Sequence, residues 1–293
     1  MPLASLLIAP LFVAVQIGLD PSVRPPDAIP PELREQRERA ASRQEQDADT
    51  LPTTRSPRDV RLSECLTLVM NEPEAGLEYA REWRATARGE DRVRAGHCEG
   101  VALARLTRFG EAQAVFLAAR DAAAGGDPAY RARIGAMAGH SAISLGEPAG
   151  AIPTFERAVA DAREARDMEL AGSLEIDLAQ ASMMNGDAAS ARAALTRARE
   201  AAPGNSRGWL LSATLARRSD DLAGAQRFIE RAAMLDDRDP AIGLEAGVIA
   251  ALSGREAAAR ASFRSVVEAA AGSREAEQAR RYLEQLGPSD PLE

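Results

Sequence analysis

Three segments of the chain, each starting 34 residues after the one before, decide the fold: AQASMMNGDAASARAALTRA at 179–198, ATLARRSDDLAGAQRFIERA at 213–232 and GVIAALSGREAAARASFRSV at 247–266. Each segment begins with Ala or Gly, carries Gly or Asp at its eighth residue and has a second Ala at its thirteenth. A large apolar residue follows four positions later. A 34-residue period of this kind is typical of tandem helix-turn-helix repeats.

The two small positions and the turn residue define two packed helices in each segment. Gly186, Asp220 and Gly254 mark the turn, because Gly and Asp readily adopt the backbone conformations that end a helix. The small residues on either side of the turn let the two helices approach closely. The large apolar residue, which is Leu195 in the first segment and Phe263 in the third, then continues an apolar stripe at helical spacing. We expect that stripe to form the core.

Earlier and longer copies precede these three. The same pattern fits Gly139 with Phe155 and Gly100 with Phe116, at spacings of 40 and 39 residues. The surplus residues, at 122–128 and 162–168, lengthen either the second helix of each copy or the turn that leaves it. A weaker first copy has Trp83 where the others have a small residue, as expected for an atypical terminal unit.

These positions resemble the tetratricopeptide repeat family in a degenerate bacterial form, with small residues at the eighth and twentieth positions of the repeat. Trp209 and Pro203 match the family's aromatic and terminal proline positions. The resemblance implies an all-α, right-handed α-solenoid of about six helix-turn-helix repeats over 57–273. The amphipathic stretch 274–287 then predicts a capping helix, ended by Gly287 and Pro288, with 288–293 as a tail.

Composition excludes several classes of function. The net charge of −8 and the pI near 5.1 argue against nucleic-acid binding, which usually needs a basic face. The sequence contains two His and two Cys and carries no phosphate-loop or dinucleotide motif. We therefore expect a protein that is not an enzyme, with no cofactor and no metal.

The N-terminal residues differ from the rest of the chain. Residues 1–19 carry no charged side chain and include an apolar run of signal-peptide length, although no basic residue precedes it. They predict a signal peptide or a short membrane anchor, and so a periplasmic or envelope location; a cytoplasmic protein with an apolar terminus is the alternative. Residues 20–56 are rich in Pro and charged residues, which predicts a disordered linker.

Cys65 and Cys98 are 33 residues apart, nearly one repeat, so they are expected on the first helices of adjacent repeats. A disulfide would fit an oxidising compartment. Two buried free thiols are the favoured interpretation, because packed helix axes lie about 8–10 Å apart and a disulfide needs closer Cα atoms.

In the family that the chain resembles, the first helices line a concave groove that binds partner segments. Carried over to this sequence, the resemblance implies a groove that is basic in its N-terminal half and apolar, with Met, in the middle. Such a groove would suit a peptide with an acidic end and apolar anchors. The alternative is that Met183, Met184 and Leu211 only pack inside the superhelix. The partner-binding candidates are Arg94, His97, Arg105, Arg133, Met137, His140, Gln180, Met183, Met184, Leu210, Thr214 and Arg217.

Two functions remain open at this point. The first is a non-enzymatic scaffold that binds an extended segment of another protein in the groove and is exported or tethered to the envelope through residues 1–19. The second is a cytoplasmic structural or assembly subunit, within a larger complex or self-associating, which exposed apolar residues on the capping helix would favour.

Overall fold

The computed structural model describes residues 57–287; the predicted signal or anchor over 1–19, the linker over 20–56 and the tail over 288–293 lie outside that range. Thirteen helices and no strands occupy the described residues. They are α1 (Pro57–Asn71), α2 (Pro73–Thr86), α3 (Glu90–Arg105), α4 (Phe109–Ala122), α5 (Pro128–Ser144), α6 (Pro148–Glu164), α7 (Met168–Met184), α8 (Ala188–Ala201), α9 (Ser206–Arg218), α10 (Leu222–Leu235), α11 (Pro240–Leu252), α12 (Glu256–Ala269) and α13 (Arg274–Leu286).

The first twelve helices form six pairs, and each helix packs against the next one in the chain. The first helices of successive pairs also contact one another at most junctions, whereas second helices have no comparable contact in the part of the chain that the structure describes. Because the first helices lie closer together, they line the inner side of the stack. The fold is the predicted all-α solenoid of six helix-turn-helix repeats.

The small residue of each repeat is matched to the size of its partner. Gly139 lies against the ring of Phe155, where an added Cβ would come within 2.7 Å of ring carbons. Gly100 and Gly247 face Phe116 and Phe263 in the same way. Where the partner is the smaller Leu195 or Ile229, the small residue is Ala179 or Ala213 instead of Gly. All four residues are buried. Helix approach is therefore set by pairwise volume, as close packing requires.

The turns within the pairs adopt the backbone conformation that the sequence predicts. Gly186, Asp220 and Gly254 have φ values of 79°, 60° and 72°, in the left-handed region. The surplus residues of the two longer copies lie in different structural elements. The second pair places them in the turn after α4, at 123–127, whereas the third pair lengthens α6 to 17 residues.

Side-chain caps begin seven of the described helices. The cap residue accepts a hydrogen bond from a backbone N–H in the first turn, which satisfies one of the donors left over at a helix start. Six caps are Asp or Asn and one is Ser: Asp127, Asp167, Asp187, Asn205, Asp221, Asp239 and Ser273.

Cys65 and Cys98 form a disulfide between α1 and α3, with their Cα atoms 6.3 Å apart. Both residues are at most 1% exposed. The prediction of two free thiols is wrong. The general spacing of helix axes is a poor guide here, because the two cysteines lie on facing sides of their helices, which brings their Cα atoms to 6.3 Å, within the range of a disulfide.

Buried carboxylates connect successive repeats. Glu175 on α7 forms ion pairs with Arg163 of α6 and Arg197 of α8. In each pair a guanidinium nitrogen lies 2.7 Å from Oε1 of Glu175. Glu99 and Asp161 are buried in the same manner, between Arg81 and Arg84 and between Arg120 and Arg131 respectively. Each pairing satisfies a charge that would otherwise be costly in the interior, and it ties a second helix to its neighbours.

Helix α13 closes the stack as the predicted capping helix. Its Ala276 and Ala279 are fully buried against the last pair. Arg260 on α12 donates hydrogen bonds to the carbonyls of Leu286 and Gly287, which satisfies acceptors at the end of α13.

Candidate peptide-binding surface

All twelve candidate residues lie on the four first helices α3, α5, α7 and α9, three on each helix. We call the solvent-facing side of these helices the inner surface. Whether the residues act together depends on which of them the fold brings into contact.

Three candidates meet in one pocket between α3 and α5. Arg105, Met137 and His140 surround an open pocket of about 320 Å³, which we call the Arg105 pocket. The remaining lining residues are Val101, Ala104, Phe109, Phe116, Ser141 and Ser144. The pocket is therefore apolar at its base and polar at its edge.

The edge of the Arg105 pocket carries a charge that no carboxylate within residues 57–287 neutralises. Arg105 is exposed at the C-terminal end of α3 and forms no ion pair with any carboxylate of the described residues. His140 approaches Asp177, with 3.1 Å between Nε2 and Oδ2, and lies edge-on to the Phe155 ring. An apolar side chain could enter the pocket while an adjacent carboxylate reaches Arg105.

At the N-terminal end of the inner surface, Arg94 is occupied by acidic neighbours. Its guanidinium nitrogens lie 3.2 Å from Asp59 Oδ1 and 3.2 Å from Glu90 Oε2. It also lies 5.8 Å from the centroid of the Tyr130 ring. We infer that Arg94 orders α1, α3 and α5 relative to one another more than it offers charge to a ligand.

His97 and Tyr130 form a pair beside Arg94. Nδ1 of His97 is 2.8 Å from the Tyr130 hydroxyl oxygen. Burial lowers the pKa of His97 to about 4 and raises the pKa of Tyr130 to about 12. Both side chains are therefore neutral at physiological pH, which makes this pair a polar contact rather than a charged one.

The other basic candidates are also paired. Arg133 lies 3.5 Å from Asp167, and Arg217 on α9 lies 2.6 Å from Glu245 on α11. The basic N-terminal half that the sequence suggests is thus largely neutralised by local carboxylates. Arg105 is the candidate arginine whose charge faces solvent without a carboxylate partner among the described residues.

A polar ladder crosses the middle of the inner surface. Arg207 on α9 lies 3.0 Å from Asp177 on α7 and donates a hydrogen bond to Gln180. Since Asp177 also faces His140, the ladder joins three successive first helices. Sequence reasoning missed Asp177 and Arg207; the signal available for Asp177 was its place one turn before Gln180, on the same helix face.

The apolar candidates divide between core and surface. Met183 and Leu210 are half-buried against the hydrophobic core. Met184, at the end of α7, is 50% exposed, and Thr214 is half-buried. The middle of the inner surface thus offers Met184 and the edges of Met183 and Leu210 rather than a deep apolar groove.

The described residues show neither a metal centre nor a membrane span. Within 57–287, no three His, Cys, Asp or Glu side chains gather where they could hold a metal ion. None of the thirteen helices described is both long enough and apolar enough to cross a bilayer.

The paired helices define an all-α solenoid of tandem helix-turn-helix repeats, which is the fold that the resemblance to the tetratricopeptide repeat family implies. Among solved structures, the chain is similar to PilW, a widely conserved type IV pilus biogenesis factor, with 16% identity and a TM-score of 0.61 over 78% of this chain and 100% of that one. It is similar to BtubC from P. vanneervenii, with 15% identity and a TM-score of 0.56 over 82% and 97% of the two chains.

The apo form of the quorum sensor NprR from B. thuringiensis is similar as well, with 10% identity and a TM-score of 0.61 over 88% of this chain and 79% of that one. At these identities the likeness concerns the fold alone. A scan against protein-family models gives no match, and a search of curated proteins gives none either.

Proposed function

We propose that this protein is a non-enzymatic scaffold that binds an extended segment of a partner protein along its inner surface. Solenoids of paired helices present extended surfaces of this kind to their ligands. The Arg105 pocket is open to solvent, whereas an enzyme site is usually an enclosed cavity with convergent polar groups.

The Arg105 pocket is the observation that carries the proposal. It combines an apolar base, formed by Val101, Phe116 and Met137, with the exposed charge of Arg105 at its edge. Met137 can adapt its shape to the side chain that enters. The partner segment therefore places an apolar side chain in the pocket and an acidic residue next to it, over Arg105.

We further propose that the protein is exported to the periplasm or tethered to the envelope. Two independent features support this: the apolar run in residues 1–19 and the disulfide between Cys65 and Cys98. Disulfides persist in oxidising compartments and are rare in the cytosol. Alkylation of the denatured protein from intact cells tests this directly, since export predicts labelling of both cysteines only after reduction, whereas a cytoplasmic protein is labelled without it.

Site-specific photo-crosslinking in living cells tests the binding surface. A photoreactive phenylalanine analogue at Ser144, which lines the Arg105 pocket, should form a discrete covalent adduct with the partner. The same analogue at Ala118, an exposed residue on the second helix α4, should form none. Mass spectrometry of the adduct then identifies the partner and the segment bound.

Charge reversal provides the matched control for this experiment. Arg105→Glu should abolish the adduct at Ser144, whereas Arg157→Glu, on the exposed side of α6, should leave it unchanged. Adducts that persist with Arg105→Glu would overturn the assignment of the pocket.

The alternative of an assembly subunit gains no support from the last helix. Leu283 and Leu286 are half-buried against the hydrophobic cluster of the final repeat. No large apolar side chain of α13 is among the exposed ones in the described residues.

A further inference from the structure

A second pocket lies among the helices of the fourth and fifth repeats, away from the inner surface. Second helices α8 and α10 form its sides, α9 lies at its base, and its volume is about 240 Å³. We call it the outer pocket. Its lining residues are Arg192, Leu195, Thr196, Arg199, Ser212, Leu215, Ala216, Asp221 and Phe228.

Arg199 is held at the edge of the outer pocket by aromatic rings and hydroxyls. Its guanidinium carbon lies 4.7 Å from the Phe228 ring centroid and 5.4 Å from that of Trp209. Its nitrogens donate hydrogen bonds to Ser212 and, at 3.3 Å, to Thr196. Two aromatic faces and two hydroxyls fix the orientation of the guanidinium before any ligand arrives.

No carboxylate among the described residues forms an ion pair with Arg199. Its side chain is half-buried, and burial lowers the pKa of the guanidinium. Arg197, two residues earlier on the same helix, shows the contrasting arrangement, since it is bonded to the buried carboxylate of Glu175. The positive charge of Arg199 is thus partly desolvated, and within residues 57–287 the neighbouring Glu200 acts on it only as a weaker, opposing coulombic effect without an ion pair.

Arg192 supplies a second charge to the outer pocket. It is exposed two turns before Arg199 on α8, and it donates a hydrogen bond to Ser219 Oγ at 3.5 Å. Asp221 also lines the pocket, but it caps α10 by accepting a hydrogen bond from the N–H of Gly224 at 2.7 Å. The positive end of α10 offsets the charge of that carboxylate.

We propose that the outer pocket binds an acidic side chain of a partner protein that is flanked by an apolar residue. Arg199, held in one orientation, and Arg192, which lines the same pocket, suit a carboxylate, because guanidinium groups bind carboxylates through paired hydrogen bonds. Leu195, Leu215 and Phe228 provide the apolar base that the flanking side chain would contact. This makes a second binding site, separate from the Arg105 pocket.

Nuclear magnetic resonance of the full chain tests the outer pocket through its two tryptophans. Trp209 lies beside Arg199, whereas Trp83 lies in the first repeat and is 1% exposed. The probes are two capped peptides, acetyl-Ala-Leu-Glu-Ala-amide and its Gln analogue, and sodium acetate as a free carboxylate. We expect the Glu peptide to shift the indole signal of Trp209 in a saturable manner and to leave that of Trp83 in place.

The Gln peptide should cause no saturable shift, and acetate should bind at least about tenfold more weakly than the Glu peptide because it lacks the apolar neighbour. Arg192→Ala should weaken binding of the Glu peptide about tenfold, the loss expected for one charge-assisted hydrogen bond. Arg264→Ala, an equal change of charge on the exposed side of α12, should leave it unchanged.

Any of three results would overturn the proposal: no shift of Trp209, equal shifts with the Glu and Gln peptides, or binding unchanged by Arg192→Ala. Acetate binding as tightly as the Glu peptide would show a general anion site rather than one for a partner's side chain. Since Arg105 lies on another face, Arg105→Glu should not affect this titration, so failure of either site is distinguishable from failure of the other.

Discussion

Reduction of the disulfide between Cys65 and Cys98 should loosen the first repeat in particular. The bond spans 33 residues and joins α1 to α3 across the whole of α2. For a closed loop of this length, loss of the constraint on the unfolded chain costs about 4 kcal/mol of stability. Because a solenoid repeat contacts only its neighbours, this loss falls on the terminal pair α1 and α2.

The assay is urea unfolding, followed by circular dichroism, with and without a phosphine reductant. Hydrogen exchange of the amides in α2 measures the local effect. These amides should exchange about a thousandfold faster after reduction, because a loss of about 4 kcal/mol raises the equilibrium constant for local opening by that factor. Amides in α9 should be unaffected. The double variant Cys65→Ala/Cys98→Ala is the control, since the reductant has nothing to act on.

Unchanged exchange in α2 after mass spectrometry has confirmed full reduction would refute this reasoning. Faster exchange throughout the chain would refute the local part of it, since the repeats would then unfold as one unit.

Three further predictions follow from packing and charge. Gly139→Ala should destabilise the chain by about 1–3 kcal/mol in urea unfolding, because the new Cβ would lie 2.7 Å from ring carbons of Phe155; Gly110→Ala, where nothing lies within 4 Å, should be neutral or slightly stabilising. Glu175→Ala should cost about 1–3 kcal/mol by the same measurement, because it removes the hydrogen bonds that the buried carboxylate accepts from two half-exposed arginines. Burial lowers the pKa of His97 from 6.5 to about 4, so the unfolded chain binds more protons between these values and stability should fall as the pH drops through that window. Urea midpoints measured from pH 7 to pH 4 should decline more steeply for the wild type than for His97→Gln, and equal slopes would contradict the assignment.

The repeat architecture could be predicted from the sequence because it depends on local rules. The 34-residue period, the small residues and the turn signals at Gly186 and Gly254 each report on one helix contact or one turn. Every repeat carries the same sequence pattern, so an ambiguous copy such as the first can be aligned with its neighbours. The match between Gly139 and Phe155 follows the same logic of paired volumes.

The candidate site could be predicted only in part, because its charges are set by contacts between repeats. The sequence places Arg94 and Arg133 on the inner surface but does not show that Asp59 and Asp167 reach them. Those partners lie about 34 residues away in the sequence and at positions that vary from repeat to repeat. The disulfide was missed for a related reason, since facing side chains lie much closer than helix axes do.

Methyl spectroscopy of the methionines tests the central claim most directly, using the peptide that photo-crosslinking at Ser144 identifies. Met137 lies in the Arg105 pocket, while Met234 is 76% exposed near the end of the second helix α10. We expect the peptide to shift the methyl signal of Met137 and to leave that of Met234 unchanged. A shift of Met234 without one of Met137 would mean that the partner binds elsewhere and would contradict the assignment of the inner surface.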